Sequence, residues 1–549
     1  MFFIQIYFKS FQFFNSIFRL RYVSLIIVIT IISFLNAEDL NSQELPIGLT
    51  DFEKNNINLL LEMGRETSPP NQPVRNIAEF ERMSGVLVRY PLGVSLDIIR
   101  ELAEDVIVYC LVSSAQQNTA FNAFNNNDIN MGNIEFIVGP TDSYWARDYG
   151  PWWVVDGNKE VGIVDFTYNR PRLNDNNAPF KTSEYLDVPY YSVDMIHCGG
   201  NYMTDGRGIG ASSHLVYEEN DLESENIDSL MSLYYGIDTY HVVEDPNDTY
   251  IDHIDCWGKY LSPTKVMIRQ VPTNHPQFSE IESIANYFLE SLTSWGNNWD
   301  VHRVWTPNDQ PYTNSIIVND KILVPIMNST WDDDALSSYE IAMPGYEVIG
   351  FPGTWESTDA IHCRIKGIPD INMLQLFHQP LLDTVASYQN EGYQLNIEVE
   401  ALSGMGILDN SVKVFWKNSE MSSYDSAQLY KTFIPEIPDT YSGYIPAQAF
   451  SSNIKYFIQA SDSSGRNEAH PLAGYHSFYA LPTEACNSWV LGDIDNSGKL
   501  NILDILILSE LIIYNSSSGI CCNFVADING DGELSLIDII NLVGLVANQ

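Results

Sequence analysis

The chain has 549 residues, which is too long for one ordinary domain, and roughly two to four domains are expected. Hydrophobic residues make up 45% of the sequence and aromatic residues 12%, which excludes a largely disordered chain. The formal net charge of −43 disfavours binding to nucleic acid or anionic membranes and suits arginine groups, polyamines or calcium. A secreted protein kept soluble by acidic charge would show the same balance.

The N-terminal residues 1–37 are typical of an export signal. Lys9, Arg19 and Arg21 precede an apolar run from Tyr22 to Leu35. This run is short for a membrane span and fits the apolar core of a signal peptide, with an uncleaved signal anchor as the alternative. No later stretch is apolar enough to cross a bilayer, so we expect a secreted, extracellular protein without a membrane partner once the signal is removed.

Residues 45–382 alternate short β-rich runs with helical patterns, which predicts an α/β catalytic domain. Val86 to Tyr90 is typical of a strand, Leu96 to Glu104 of an amphipathic helix, and Val106 to Val112 of the next strand. The rhythm recurs at Val161 to Tyr168, Ile281 to Leu292 and Ser315 to Pro325. The pattern does not give the strand order.

The pattern changes in residues 383–482. Apolar and polar residues alternate there in four runs, Gln394 to Glu400, Val412 to Trp416, Ile454 to Ala460 and Tyr475 to Ala480. Turn residues separate the runs and no helical pattern intervenes, which predicts a small β-sandwich. No residues in it suggest chemistry, so a structural spacer is the favoured interpretation.

The tail, residues 486–549, contains a repeated loop. The first copy places oxygen-bearing side chains at Asp493, Asp495, Ser497, Asn501 and Asp504. The second places them at Asp527, Asn529, Asp531, Ser535 and Asp538. This spacing, with glycine at the sixth position, is the loop chemistry of a calcium site and predicts two Ca²⁺ ions. Helix-like runs follow, from Ile505 to Ile513 and from Ile539 to Val546.

This tail resembles a dockerin, a small helical module with two F-hand calcium loops. The resemblance implies a cohesin module of a scaffold protein as partner and attachment to a scaffold or cell surface. A calcium-stabilised tail without a partner is the alternative. In an oxidising compartment, Cys486 could pair with Cys521 or Cys522.

The stretch from Tyr250 to Trp257 concentrates chemistry. Flanking isoleucines suggest a short buried strand, on which His253 and Asp255 would share a face. An imidazole beside a carboxylate suits proton transfer and the holding of a cation. A buried histidine satisfied by its neighbour is the alternative interpretation.

Two further features indicate a site for a planar cation. Asp148 lies in the run from Trp145 to Pro151, where a Gly-Pro turn follows it and Trp145 could stack on a guanidinium. A thiolate nucleophile could come from Cys198, Cys256 or Cys363. A strand would turn Cys256 away from His253, and local sequence does not separate the other two.

The runs around Trp145, Gly199, His253 and Asp359, taken together, resemble the agmatine deiminase and bacterial peptidylarginine deiminase family, most closely the Porphyromonas type. The resemblance implies a five-bladed pentein α/β-propeller followed by an immunoglobulin-like domain. It also implies Cys363 as nucleophile, His253 as acid and base, and a guanidinium held by Asp148 and Asp255. The remaining residues that it implies are Asn314 in the active site and Asp205 and Tyr250 at substrate contacts. No cofactor is expected for catalysis.

Arg170 and Arg172 bear on the substrate. They are two residues apart and can point to one face, where an arginine pair binds a carboxylate in bidentate fashion. By resemblance they correspond to a clamp for the α-carboxylate of a C-terminal arginine, which predicts a peptide or protein substrate converted to citrulline. A solvated basic turn, an agmatine deiminase giving N-carbamoylputrescine, and a non-catalytic scaffold-bound module are the alternatives.

Overall fold

The computed structural model describes residues 45–220, 224–247, 249–387, 391–432, 439–481, 490–495, 497–514, 525–529 and 534–547. The export signal and the three cysteines of the tail lie outside these ranges. Contacts divide the chain into two compact units, Met1–Asp51 and Phe52–Gln549. Only residues 45–51 of the first are described, and the account below concerns the second. None of the described helices combines the length and apolarity needed to cross a membrane.

Helices and strands alternate up to about residue 377 and strands dominate thereafter. The helices are α1 Asp51–Asn55, α2 Leu60–Met63, α3 Leu96–Asp105, α4 Gln117–Asn125, α5 Ala146–Tyr149, α6 Leu173–Asn176, α7 Ala178–Leu186, α8 Leu215–Glu218, α9 Ser224–Tyr235, α10 Phe278–Glu290, α11 Asp332–Ala342, α12 Ile361–Arg364, α13 Ile502–Tyr514 and α14 Leu536–Ala547. The strands of the α/β region are β1 Arg75–Asn76, β2 Met83–Arg89, β3 Ile107–Val112, β4 Ile134–Val138, β5 Trp152–Val155, β6 Val161–Tyr168, β7 Tyr190–His197, β8 Met203–Thr204, β9 Ile209–Ser213, β10 Thr239–Val243, β11 Gly258–Ser262, β12 Lys265–Gln270, β13 Asp300–Trp305, β14 Ile316–Val318, β15 Lys321–Ile326, β16 Glu347–Pro352 and β17 Lys366–Pro369. The later strands are β18 Leu374–Phe377, β19 Thr384–Ala386, β20 Tyr393–Ala401, β21 Lys413–Asn418, β22 Asp425–Gln428, β23 Tyr430–Lys431, β24 Thr440–Ile445, β25 Ser452–Ser461, β26 Asn467–His470 and β27 His476–Leu481.

The α/β region repeats one strand pattern in five separate sheets. In each, an antiparallel pair is extended by a parallel strand, as in β5–β6–β7, β8–β9–β10, β11–β12–β13, β14–β15–β16 and β17–β2–β3. The last sheet joins the end of this region to its beginning. The α/β prediction is confirmed, whereas a closed five-bladed propeller stays a prediction.

Sequence patterning located several of these elements well. Ser95 caps α3 by accepting a hydrogen bond from the Ile98 backbone, and the predicted helix differs from the observed one by a single residue. β6 has the predicted bounds. The run from Ser315 to Pro325 was expected to continue the strand–helix–strand rhythm, but it forms the hairpin β14–β15, turning at Asn319 with φ of 57°.

Two β-sheets follow and share one hydrophobic core. One has the order β18–β20–β24–β23, and the other runs β19–β27–β25–β21–β22 with β26 paired to β25. Tyr393, Val414, Ile454 and Tyr456 belong to the buried core of these sheets. The first sheet already begins at β18, before the predicted boundary at residue 383, because β18 pairs with β20. An immunoglobulin-like topology stays a prediction.

In the tail, α13 and α14 lie where helices were predicted, each extended by a few residues at its start. Leu508, Leu511 and Leu542 form a small core between them. Other apolar side chains of these helices are exposed, including Ile502, Ile513, Leu536 and Ile540.

Candidate active site

Cys363 lies on the single-turn helix α12 and is completely buried. The Asn314 side-chain amide donates a hydrogen bond to the Cys363 sulfur at 3.1 Å. The Asn314 side-chain oxygen accepts hydrogen bonds from the backbone of Ala360, His362 and Cys363 at 3.0 to 3.3 Å. Asn314 therefore holds the turn on which Cys363 lies, and it also contacts the sulfur of this expected nucleophile.

Asp255 is the carboxylate nearest to this sulfur, with its Oδ2 atom 3.6 Å from the Cys363 Sγ atom. The expected strand is wrong: Ile254–Cys256 is a 3₁₀ turn. A turn at this point leaves His253 extended just before it and still buries both side chains. Burial opposes ionisation of Asp255, but the hydrogen bond and charge of His362 outweigh it and hold the pKa of Asp255 below its usual value.

Behind Asp255 lies a buried cluster of charges around Glu79. His362 contacts Asp255 Oδ2 through Nδ1 at 2.7 Å and Glu79 Oε2 through Nε2 at 2.8 Å. Glu79 also contacts the Lys259 ammonium at 2.8 Å and pairs with the Arg147 guanidinium at 2.5 Å. Although burial acts in the opposite direction, these partners hold the pKa of Glu79 well below its usual range, so Glu79 is an anion.

Asp148, on α5, is close to Asp255, but its pKa is shifted in the opposite direction. Neither of its oxygens accepts a hydrogen bond from an N–H or O–H group within the described ranges, and the Cys198 thiol lies beside it. Burial, and then the charges of Asp255 and Asp359, raise the pKa of Asp148 well above its usual value. A buried carboxyl group without a partner is costly, and such groups mark places where a cationic ligand binds.

Gly200 forms the floor between the two carboxylates. A Cβ atom at this position would lie 2.6 Å from Asp148 Oδ1, 2.8 Å from His253 Nδ1 and 3.2 Å from Asp255 Oδ2. Three groups implied in guanidinium chemistry therefore converge on one point. A side chain at this point would collide with all three groups, so glycine lets them converge.

His253 is completely buried beside Asp148 and Cys198. Its Nδ1 atom is 3.9 Å from an Asp148 oxygen and 3.9 Å from the Cys198 sulfur, and in the described structure its Nε2 atom has no partner. Burial lowers the pKa of His253 to about 3. The imidazole is therefore neutral at physiological pH when no ligand is bound.

Arg172 has its guanidinium engaged within the chain. Its Nε atom donates to Glu53 Oε1 at 2.7 Å and its Nη2 atom to Glu53 Oε2 at 3.3 Å, and it lies over the Trp145 ring at 5.4 Å. Arg170 lowers the pKa of the nearby Glu219, although burial is the stronger influence and raises that pKa to about 7. In this arrangement Arg172 forms an ion pair with Glu53. The Trp145 ring is covered by Arg172 and is therefore not open to a substrate.

The two remaining expected substrate contacts, Asp205 and Tyr250, have different surroundings. Asp205 is in a turn, where its Oδ1 atom accepts hydrogen bonds from the backbone of Arg207 and Ile209. It lines a cavity bordered by residues of the β-sandwich, and its expected role as a substrate contact stays a prediction. Tyr250 is 69% exposed, and its hydroxyl is near Thr358, whose carbonyl oxygen lies 3.9 Å from the Cys363 sulfur.

Sequence reasoning missed His362, Glu79 and Lys259. His362 directly precedes Cys363, and that adjacency was the one local signal for it. Glu79 lies 68 residues from Arg147, 180 from Lys259 and 283 from His362 along the chain. Only the fold brings these charges together.

The first loop of the tail brings together oxygen atoms of the kind that a calcium site needs. Asp493, Asp495 and Asp504 each offer an oxygen, and these oxygens lie within 4.8 Å of one another. Asp504 and Asp538 occupy equivalent positions in the two loops, since each accepts backbone hydrogen bonds from both ends of its own loop. An all-oxygen set of this size fits Ca²⁺. Asp531 lies outside the described residues.

Known proteins resemble the α/β region. The profile of the Porphyromonas-type peptidyl-arginine deiminase family matches residues 92–369. A candidate agmatine deiminase of Yersinia pseudotuberculosis serotype O:1b is 23% identical over 282 residues, covering 43% of this chain and 77% of the relative. One of Selenomonas ruminantium is 23% identical over 372 residues, covering 56% and 99%. An X-ray structure of a candidate agmatine deiminase aligns with a TM-score of 0.52 at 20% identity, covering 56% of this chain and 99% of that one, and shows the fold.

These similarities define a deiminase, a hydrolase that cleaves C–N bonds in arginine-like guanidino groups. The chain belongs to the Porphyromonas-type peptidyl-arginine deiminase family, whose profile covers half of it.

Proposed function

We propose that this deiminase binds the substrate guanidinium above Gly200, between Asp148 and Asp255, and attacks its central carbon with Cys363. The observation that carries the proposal is the convergence of Asp148, His253 and Asp255 on the missing Gly200 side chain. A guanidinium keeps its proton at physiological pH and is a poor electrophile unless its charge is held and directed. Two carboxylates can do both.

The reaction proceeds in two stages. The Cys363 thiolate adds to the carbon, a C–N bond breaks, ammonia leaves with one added proton, and a covalent thiouronium cation remains. Water then adds with His253 as general base, the C–S bond breaks, and a ureido group is released while the thiol reforms. The proton that ammonia takes is the one that Cys363 gives up on becoming a thiolate, and a neutral His253 can accept it and pass it to the leaving nitrogen.

For the substrate, we favour a guanidinoalkyl amine of the agmatine class, which is a dication without a carboxylate. The Glu53 carboxylate already holds the Arg172 fork, which a C-terminal arginine would need for its own carboxylate. The agmatine deiminase names of the similar proteins support the same choice.

A direct comparison of substrates tests this choice. We expect kcat/KM for agmatine to exceed that for a dipeptide ending in arginine by ~10-fold or more, because the peptide carboxylate must compete with Glu53. Ureido product is measured with both substrates and with the C-terminally amidated dipeptide. A preference for the free dipeptide would contradict the agmatine assignment, and absence of ureido product from all three would contradict the deimination site.

A C-terminal peptide arginine is the second candidate, favoured by the presence of Arg170 and Arg172 near Asp148. Binding of the peptide carboxylate by Arg172 would require the Glu53–Arg172 ion pair to break. Replacing Glu53 by Gln weakens the Arg172 pair, so activity on the free dipeptide should rise while activity on the amidated dipeptide should not. Glu282→Gln, which breaks the Glu282–Arg303 pair at 2.6 Å, is the matched control.

For the remaining regions, we propose an exported enzyme whose tail binds two Ca²⁺ ions and docks on a cohesin module. The oxygen cluster of the first loop and the exposed apolar side chains of α13 and α14 support this proposal. Calcium titration followed by calorimetry should show two binding events, with Asp504→Ala removing one. Binding to an immobilised cohesin should require calcium, and calcium-independent behaviour of the tail would contradict the proposal.

A further inference from the structure

Cys198 is a buried thiol beside the proposed guanidinium position, and the proposed reaction does not use it. Its sulfur lies 3.9 Å from His253 Nδ1, and the same nitrogen lies 3.9 Å from an Asp148 oxygen. One oxygen of Asp148, the Cys198 sulfur and one ring nitrogen of His253 all lie within 4.8 Å of one another. An oxygen, a sulfur and a nitrogen atom therefore face one small volume.

The protein leaves polar atoms of this cluster without hydrogen bonds. Asp148 is 1% exposed, and His253 and Cys198 are 0% exposed. Within the described ranges, neither Asp148 oxygen accepts an N–H or O–H hydrogen bond, and His253 Nε2 has no partner. Buried polar atoms are normally paired, so a cluster in this state indicates a place that a ligand completes.

The donor atoms and their spacing suit a zinc ion. Ca²⁺ and Mg²⁺ prefer oxygen ligands, as in the first loop of the tail, whereas thiolate and imidazole bind Zn²⁺. In a tetrahedral zinc site, metal–ligand bonds of about 2.0–2.3 Å place neighbouring ligand atoms about 3.3–3.6 Å apart. The separations of 3.9 Å from His253 Nδ1 to the sulfur and to the Asp148 oxygen are only slightly longer. Small side-chain rotations would close the difference.

The charge balance of the cluster also suits a divalent cation. Burial raises the pKa of both the Cys198 thiol and the Asp148 carboxyl group, so neither group is a stable anion by itself. A metal ion deprotonates a thiol that coordinates it, and Zn²⁺ in exchange for one proton on each group leaves the net charge of the buried cluster unchanged. Two acids nearby, Asp255 and Asp359, against one arginine, Arg170, also favour a cation.

We propose that Asp148, Cys198 and His253 form a Zn²⁺ site that competes with the guanidinium substrate and inhibits the deiminase. One Asp148 oxygen, the Cys198 thiolate and His253 Nδ1 are the protein ligands, and a water molecule is the fourth. Binding forms three bonds from the metal to the protein and releases the protons of the thiol and the carboxyl group to solvent. The inhibition rests on the proposed function, which assigns Asp148 and His253 to the guanidinium, whereas the metal site does not.

Titration with Co²⁺ tests the metal site without a substrate. Divalent first-row metals share sites of nitrogen, oxygen and sulfur ligands, and a cobalt–thiolate bond gives a charge-transfer absorption in the near ultraviolet. The full chain is kept reduced without a thiol reagent, and the three tail cysteines, Cys486, Cys521 and Cys522, are replaced by Ser in every protein compared. We expect this absorption to saturate at one Co²⁺ per chain and to disappear when Zn²⁺ is added.

Cys198→Ser should lose the charge-transfer absorption, because serine offers no sulfur. Cys110→Ser is the matched control, since Cys110 is a buried thiol that contacts the Leu111 backbone oxygen. It should retain the absorption and its cobalt affinity. No absorption in the starting protein, or an unchanged absorption in Cys198→Ser, would overturn the metal site.

Asp148→Asn gives a second measurement that does not depend on the cysteine. Loss of a side chain that only orients a metal ligand already costs ~10-fold in affinity, so loss of a ligand should cost at least as much. Circular dichroism and thermal unfolding establish that each variant is folded. If Cys198→Ser does not fold, Asp148→Asn decides, and an unchanged cobalt affinity would overturn the site.

Kinetics with agmatine test the inhibition. Zn²⁺ should raise KM for agmatine without lowering kcat, EDTA should reverse the effect, and Cys198→Ser should need ~10-fold more Zn²⁺ or higher for the same inhibition. Equal inhibition of wild type and Cys198→Ser would overturn the assignment of the inhibition to this site. A chain that binds Co²⁺ through Cys198 but deiminates no guanidino compound would refute the proposed function and leave the metal site supported.

Discussion

The two carboxylates of the site, Asp148 and Asp255, differ in their hydrogen-bonding partners and in the direction of their pKa shifts. Asp255 has His362 against it and a pKa below its usual value. Asp148 accepts no N–H or O–H hydrogen bond among the described residues and has a pKa well above its usual value. The two carboxylates differ because of their neighbours. His362, which also contacts Glu79, stabilises the charge of Asp255. Asp148 is affected by the favourable charge of Arg170 and by the unfavourable charges of Asp255 and Asp359.

The opposite pKa shifts suggest different roles for the two carboxylates in the proposed function. With its lowered pKa, Asp255 would be the anion that orients the guanidinium in the proposed function. The raised pKa of Asp148 means that, in the proposed function, a bound cation would favour its ionised form. In the proposed function, a bound guanidinium would offset the mutual repulsion of the pair, so the site should favour cations.

The largest effect should come from Asp255→Asn, which removes the supported anion. We expect kcat/KM to fall by ~10³-fold, a size typical of losing a preorganised electrostatic group. The measurement is ureido product formation with agmatine, with Asp309→Asn as a control at a carboxylate remote from Cys363. Activity within a few-fold of wild type would remove Asp255 from the mechanism.

Gly200→Ala should have the next largest effect, because its Cβ atom would enter the space between the two carboxylates. Displacing reacting groups by about 1 Å can cost ~10²-fold in rate. The loss should be seen as a higher KM together with a lower kcat, and the unfolding temperature should fall because the added Cβ overpacks buried groups. Gly296, which has open space around its Cβ position, gives the control variant, although its φ of 81° adds backbone strain.

Asp148 should make substrate binding depend on pH. Because its pKa is raised, the carboxyl group ionises late, and KM should fall as pH increases through that pKa. Asp148→Asn should give a KM ~10-fold higher or more at pH 8 and should remove this dependence. A flat KM profile in the wild type would contradict the raised pKa.

Asp148→Asn should weaken substrate binding but should increase the stability of the folded chain. Protonated Asp148 stabilises the folded chain below the unfolded-state pKa of about 4, and this stability is lost as pH rises through the raised folded-state value. Asp148→Asn should therefore unfold at a higher temperature than wild type at pH 8, by a few degrees, with the difference shrinking toward pH 4. A destabilised variant at pH 8 would show that Asp148 has a partner after all.

Arg170→Ala should have the smallest effect. The Arg170 charge lowers the pKa of Asp148, so its removal should shift the KM profile for agmatine to higher pH by less than ~1 unit. The kcat at high pH should be nearly unchanged. An equal loss of kcat and kcat/KM at all pH values would instead indicate direct contact with the reacting groups.

Sequence alone determined the α/β class, most element positions and the tail helices, because hydrophobic periodicity and capping are local. It also picked out Cys363, Asn314, Asp255, Asp148 and His253, through their resemblance to a family. It did not separate Cys363 from Cys198 by local chemistry, since both follow a histidine and only three-dimensional contacts distinguish their settings.

The tertiary structure decided the rest. The pairing of Arg172 with Glu53, the position of Asp205 in a turn and the Glu79 cluster behind Asp255 all join residues far apart in the chain. Burial and neighbouring charge set the opposite pKa shifts of two identical side chains, and both depend on what the fold packs against them. A sequence names the groups that can react, whereas the packing around them fixes their protonation.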